Sequence, residues 1–164
     1  MKYIALACSA LIVGLDQLFK YLAITYLSND MLTFPIIKDV FHLTYIENQG
    51  AAFSILEGKK IFLIGLTSLI IIAGIILILM NKINSKFLMW SIALVIGGGI
   101  GNLVDRIFRG FVVDYLDLRI IDFAVFNFAD CCVVVGTGLI MIYVLFLDRK
   151  NNSDENKEIS GVHE

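Results

Sequence analysis

The sequence predicts an α-helical membrane protein with four transmembrane helices and a small amount of β-structure on one side. Three observations lead there. The 164-residue chain is 59% hydrophobic, whereas a soluble domain is about 45–50% apolar. Its apolar residues fall into four runs, each of roughly the 17–25 residues that a bilayer crossing requires. Proline occurs once, at Pro35, so no proline interrupts the runs.

The first run covers residues 3–27 and is broken by Asp16 and Lys20. Its start resembles a secretory leader, but the apolar stretch before Cys8 is only residues 3–7 and the run continues past it, so it is read as a retained helix. The second run, 61–80, is uninterrupted. The third, 87–104, contains Gly97, Gly98, Gly99 and Gly101. Gly97 and Gly101 form a small-xxx-small face suited to close helix packing. No Lys-Ser or Lys-Thr follows them, so the run is not a phosphate loop. The fourth run is 131–147.

These runs make one membrane domain over residues 1–147. Residues 28–60 form a long connection with β-branched and aromatic residues at 40–46, where short strands are expected. Asn48-Gln49-Gly50 reads as a turn. Residues 105–130 form a second long connection, with strand character at Val112-Val113-Asp114-Tyr115. Residues 148–164 are a polar tail, predicted to be disordered. Four crossings put both termini on one side and both long connections on the other. Lys82 and Lys86 in the short third connection favour a cytoplasmic side for the termini.

The net charge of −2 gives no basis for binding nucleic acid. The three cysteines, Cys8, Cys131 and Cys132, lack metal or disulfide spacing, and both histidines, His42 and His163, lie outside the apolar runs. A His/Cys metal centre and a Cys–His nucleophile are therefore not expected, nor is any cofactor. The cysteines read as small packing residues.

The chemistry lies in the acids. Asp105, Asp114, Asp117, Asp122 and Asp130 follow one another beside the asparagines Asn102 and Asn127, with Asp16 in the first run as a partner. Acids in or beside membrane helices are costly and are usually functional. At ~1.5 Å per helical residue, Asp16 and Asn102 both lie ~20 Å from the side of the termini, in the outer third of a ~30 Å core. Lys20 and Asp105 fall near the same boundary, and Asp130 opens the fourth run from it. Asp16 and Lys20 share a helix face at i,i+4, as do Asn102 and Arg106. For Lys20, Asp105 and Arg106, a site role and charges snorkelling to water stay equally open. Asp117, Asp122 and Arg109 read as solvated charges, and Asp114 and Asp130 as functional.

Acids gathered at one face favour an interfacial enzyme. A proton-coupled transporter would place them nearer mid-membrane with access from both sides. A structural subunit using polar residues only as helix glue leaves the loop acid Asp114 unexplained.

Five motifs in order resemble the lipoprotein signal peptidase (signal peptidase II) family of bacterial membrane aspartyl proteases. Asp16-Gln17-Leu18-Phe19-Lys20 resembles DQxxK, and Asn48-Gln49-Gly50-Ala51-Ala52-Phe53 resembles NxGAAF. Residues 97–106, ending in Asn102-Leu103-Val104-Asp105-Arg106, resemble GGxxGNxxDR. Val112-Val113-Asp114-Tyr115 resembles VVDF, and Phe126-Asn127-Phe128-Ala129-Asp130 resembles FNxAD. The chain departs from the pattern at Phe19, Glu47, Tyr115 and Ala124, none of them a catalytic position.

The resemblance implies four transmembrane helices with a β-cradle and a short helix on the outer side. It implies Asp114 and Asp130 as the catalytic pair, with Asp16, Lys20, Asn48, Asn102, Asp105, Arg106 and Asn127 binding substrate or supporting the pair. The substrate would be a diacylglyceryl-modified prolipoprotein, cut before its lipidated cysteine, and the inhibitor would be globomycin. The setting would be the bacterial cytoplasmic membrane, with membrane lipids as neighbours, a monomeric enzyme and the site near the outer face. Two close carboxyls would share one proton and activate a water without metal.

Overall fold

The computed structural model describes residues 1–28, 33–50, 56–80, 83, 85–121 and 123–147. Residues 51–53 of the NxGAAF segment, Lys82, Asp122 and the tail 148–164 lie outside the described residues. Four helices are long and apolar enough to cross a membrane: α1 (Lys2–Leu27), α2 (Lys60–Leu79), α3 (Lys86–Phe108) and α4 (Phe128–Ile142, continued by a π turn at Tyr143–Leu147). Three strands accompany them: β1 (Thr33–Ile37), β2 (Phe41–Asn48) and β3 (Val112–Leu118). On that side of the molecule, the helical structure among the described residues outside the spans is the 3-10 turn Arg119–Ile121.

The α3 helix is central and touches each of the other three. Its glycines explain why. A methyl group on Gly97 would sit 2.8 Å from Ile12 of α1, and one on Gly98 would meet the Ala129 carbonyl of α4. Small residues let backbones approach where lipid supplies no hydrophobic drive for helix association. Ser9 adds a buried bond by donating from Oγ to the Ala93 carbonyl at 2.8 Å. One apolar core of Ile71, Ile78, Ile92 and Ile96 fastens α2 to α3. Outward side chains such as Leu69, Ile72, Met141 and Leu145 stay exposed, as lipid-facing positions require.

Helix α3 runs four residues beyond the expected end at 104 and carries Asp105 and Arg106 inside it. It stops at Gly110, whose φ of +94° suits the left-handed position that follows a helix end. The amides of Arg109 and Gly110 both donate to the Asp105 carbonyl, at 2.8 and 3.1 Å. Helix α4 begins earlier than the apolar run suggests, because Asn127 caps it and draws Phe128, Ala129 and Asp130 into its first turn.

The sheet is antiparallel in the order β1-β2-β3. Leu43 faces Leu116, yet Ile46 faces Asp114, so β2 carries one extra residue across that interval. Such a bulge re-aims side chains and is common next to active sites. A second core, Ala23, Leu27, Val113 and Tyr115, seats the sheet on the end of α1. Phe126 then pairs back onto Leu116, with N–H···O bonds of 2.8 and 3.0 Å, which returns the chain beside β3 just before α4.

Candidate active site

Four elements converge at the sheet end of the bundle. Strand β3 supplies Asp114, the first turn of α4 supplies Asp130, α3 supplies Asn102 and Arg106, and β2 ends at Asn48. All five line one cleft of about 470 Å³. Its remaining wall is largely apolar, from Val112, Phe126, Val134 and Val135.

The two acids are held by amides. Asp114 is 2% exposed. Its Oδ2 accepts from Asn48 Nδ2 at 2.9 Å and its Oδ1 from Asn127 Nδ2 at 2.7 Å. Asp130 is half-buried. It accepts from Asn102 Nδ2 at 2.7 Å and from the Asn127 backbone N–H at 3.2 Å. The second of these is half of a capping box, because Asn127 Oδ1 in turn accepts from the Asp130 N–H at 3.0 Å. Asn127 thus touches both acids, one through its side chain and the other through its backbone.

Burial pushes the Asp114 carboxyl up to about 7. The Asn48 and Asn127 donors pull it down, and the Asp130 charge pushes it further up. Loss of water and a neighbouring like charge outweigh the donors, because both disfavour a second negative charge.

Behind the pair lies a buried ion cluster. Lys20 Nζ sits 2.9 Å from Asp16 Oδ2, 2.9 Å from Asp105 Oδ2 and 2.8 Å from Asn102 Oδ1. Lys20, Asp16 and Asp105 are each 0% exposed. Of the two readings left open for Lys20 and Asp105, snorkelling to water is overturned, since neither side chain reaches water. Asp105 also accepts from the Val113 N–H at 3.1 Å, which holds the residue before Asp114 in place. Asp16 accepts from the Ala129 N–H at 3.1 Å, one residue before Asp130. A methyl group on Gly101 would stand 2.5 Å from Asp16 Oδ2, so that glycine makes room for the carboxylate.

Arg106 lines the cleft and donates from Nη2 to the Gly50 carbonyl at 2.8 Å. It ties the turn after β2 to α3. That turn is closed by Asn48 itself, whose Oδ1 accepts from the Gly50 N–H at 2.9 Å.

Two expectations need correction. Arg109 is not a solvated charge: its guanidinium pairs with Asp105 and donates to Gln17 Oε1 at 3.0 Å. Asp117 is 8% exposed and accepts from Thr44 Oγ1 at 2.6 Å and Arg119 Nε at 3.0 Å. Asp122 lies outside the described residues. The reading of the cysteines as packing residues fits Cys132, which is buried, but Cys131 lines the cleft next to Asp130.

Sequence reasoning left Gln17 without a role. Its Nε2 lies within 3.2 Å of Asp16, Asp105 and the Gly101 carbonyl. The i,i+4 spacing of Asp105 and Arg109 is the signal that could have found the arginine.

The signal peptidase (SPase) II family profile matches residues 8–146 of this chain. The lipoprotein signal peptidase of Clostridioides difficile is 47% identical over 141 residues, covering 86% of this chain and 94% of that protein. That of Streptococcus thermophilus is 39% identical over 157 residues, covering 95% and 100%. A solved structure described as a bacterial membrane enzyme superposes with a TM-score of 0.79 at 32% identity, over 90% of each chain. Agreement over so much of the chain, in sequence and in fold, makes this protein a member of the signal peptidase II family.

Proposed function

We propose that Asp114 and Asp130 are the catalytic dyad with which this membrane peptidase removes signal peptides from diacylglyceryl-modified prolipoproteins, cutting before the lipidated cysteine. The observation that carries the assignment is the shared cleft, in which both acids face one space and both are held by Asn127. Burial of Asp114 favours a neutral carboxylic acid there. Asp130, at the start of α4 with two N–H donors and the positive end of the helix dipole, is suited to carry the negative charge.

In this reading the Asp130 carboxylate accepts a proton from water, and the hydroxide equivalent attacks the scissile carbonyl carbon. The Asp114 proton stabilises the carbonyl oxygen as it gains charge. Collapse of the tetrahedral intermediate breaks the C–N bond, and a carboxyl proton passes to the leaving amine. Asn48, Asn102 and Asn127 orient the acids, while Asp16, Lys20 and Asp105 fix the helices that carry them. Arg106 faces the cleft with a cationic side chain and is suited to hold a substrate carbonyl.

The site lies at the helix ends that carry the sheet. A signal peptide lying among the helices would present its cysteine at that depth, with the lipid chains still in the bilayer. We place the termini and residues 148–164 on the cytoplasmic side, the site at the outer face, and residues 1–147 in a single monomeric membrane domain. Globomycin is the expected inhibitor.

A gel-shift assay in detergent tests this reading. Purified protein is given a diacylglyceryl-modified prolipoprotein, with and without globomycin, beside Asp114→Asn. Cleavage that globomycin blocks and the variant lacks is the expected result. Full cleavage by Asp114→Asn would sink the dyad.

A further inference from the structure

We propose that Lys20 is a positioning residue that sets the direction of the Asn102 amide and, through it, keeps a hydrogen-bond donor aimed at Asp130. The inference rests on the dyad assigned above and adds a residue that touches neither acid of it.

Lys20 Nζ has three close polar partners: Asp16 Oδ2, Asp105 Oδ2 and Asn102 Oδ1, at 2.9, 2.9 and 2.8 Å. An ammonium has three N–H donors and accepts nothing. All three protons are therefore committed, and the atom of Asn102 facing the lysine must be its oxygen. The other end of the amide is then Nδ2, which lies 2.7 Å from Asp130 Oδ1. Turning the amide over would set its NH₂ against the ammonium and its oxygen against a carboxylate. Both contacts would become repulsive, and the Lys20 ammonium, 0% exposed, could not turn to water instead.

Asn127 reinforces the same direction. Its Nδ2 reaches Asn102 Oδ1 at 3.2 Å as well as Asp114 Oδ1 at 2.7 Å. Its own oxygen is used by the Asp130 N–H. Starting from one cation, the donor order therefore runs from Lys20 to Asn102 to Asp130.

Charge alone does not require this lysine beside the dyad. Asp16 and Asp105 are matched within the cluster by Lys20 and Arg109. The Lys20 charge also pulls the Asp114 carboxyl down, but its effect on Asp130 is directional and is carried by one amide.

The test is a charge-matched double variant, Asp16→Asn with Lys20→Met, compared with Asp16→Asn alone. It removes one charge of each sign, and the asparagine still offers an oxygen to the Ala129 N–H. Steady-state cleavage of a diacylglyceryl-modified prolipoprotein is followed, with Asp130→Asn alongside. The expected result is a kcat lowered about tenfold to a hundredfold relative to Asp16→Asn, with KM changed less than about twofold. In an Asn102→Ala background, adding the Lys20 substitution lowers kcat no further, because the amide that carries its effect is already gone.

A folded double variant whose kcat equals that of Asp16→Asn overturns the proposal, as does a Lys20 substitution that lowers kcat as much in the Asn102→Ala background as outside it. If the double variant does not fold, Lys20→Arg decides, because it keeps a cationic donor on the Asn102 oxygen. Its kcat should stay well above that of Asn102→Ala, and an equal loss overturns the proposal. Activity in Asp130→Asn would sink the dyad itself. An inactive Asp130→Asn beside an unchanged kcat in the double variant sinks only the role of Lys20.

Discussion

Two pairs of aspartates lie within a few residues of each other in this fold, and they have opposite surroundings. Asp16 and Asp105 are closed off from solvent and share Lys20, with Arg109 as a second cation on Asp105. Asp114 and Asp130 line an open cleft, and the side chains bonded to them are the amides of Asn48, Asn102 and Asn127. A cation stabilises a carboxylate by fixing its charge and leaves it nothing to do. Amides orient a carboxyl and leave its protonation free to change. The neighbour, more than the acid, separates a structural carboxylate from a reactive one.

The comparison breaks most sharply at the proposed dyad. Asp114→Asn and Asp130→Asn should each lower cleavage by about 10⁴-fold or more, to the assay floor, while the protein still inserts and purifies. An end-point gel shift with the lipidated substrate reads this directly, and either variant retaining activity contradicts the assignment. At the structural pair the damage should fall on folding. Lys20→Met alone leaves two buried carboxylates facing each other and should cost about 3–5 kcal/mol. Thermal unfolding in detergent should show it as a large fall in Tm or as loss of folded protein.

The pH dependence sharpens the contrast further. Asp114 has a carboxyl pushed up to about 7 and is the proton donor in this reading, so kcat should fall as pH rises through that value. Stability follows the same group. Its folded pKa is raised above the ordinary carboxylate value, so the folded state binds more protons than the unfolded state between about pH 4 and 7. Stability from this residue is therefore present at low pH and lost as pH rises through that window, by up to about 1.4 kcal/mol per unit. Asp114→Asn should abolish that slope and melt higher than the native protein at pH 8. An unchanged slope would show that the burial of Asp114 is relieved by water.

Smaller effects are expected farther out. Arg109→Gln keeps a donor near Asp105 and Gln17 and should cost about 1–2 kcal/mol of stability with kcat little changed. Arg119→Gln breaks a pair on the sheet that is well exposed on the arginine side, and should cost no more than about 1 kcal/mol. A loss of activity from Arg119→Gln comparable to that from Lys20→Met would mean the two regions are not distinct.

The helices were legible because membrane crossings need long apolar runs, and nothing else in a sequence looks like 61–80. The shared depth of Asp16, Asn102, Asp105 and Asp130 followed from rise per residue, and all four meet at one end of the bundle. Element ends were less legible. Asn127 begins α4 before the apolar residues do, and α3 continues through its polar residues to Phe108. Capping and tertiary partners set those limits, and hydropathy does not register them. Arg109 and Asp117 each have one local partner, Asp105 and Arg119, and one remote partner from α1 and β2, across gaps of 92 and 73 residues. The remote contacts leave no local trace, and without them both residues read as solvated charges. The bulge in β2 is equally silent, although it decides which residue faces Asp114.

The capping box at Asn127 and Asp130 has a consequence for how the enzyme comes into being. The carboxylate that would activate water also closes the first turn of the last helix. Until that helix winds and docks against α3, Asp114 has neither Asn127 nor Asp130 beside it, and the cleft lacks a wall. With the proposed dyad, hydrolytic power therefore waits on the fourth span, and a half-made chain has none.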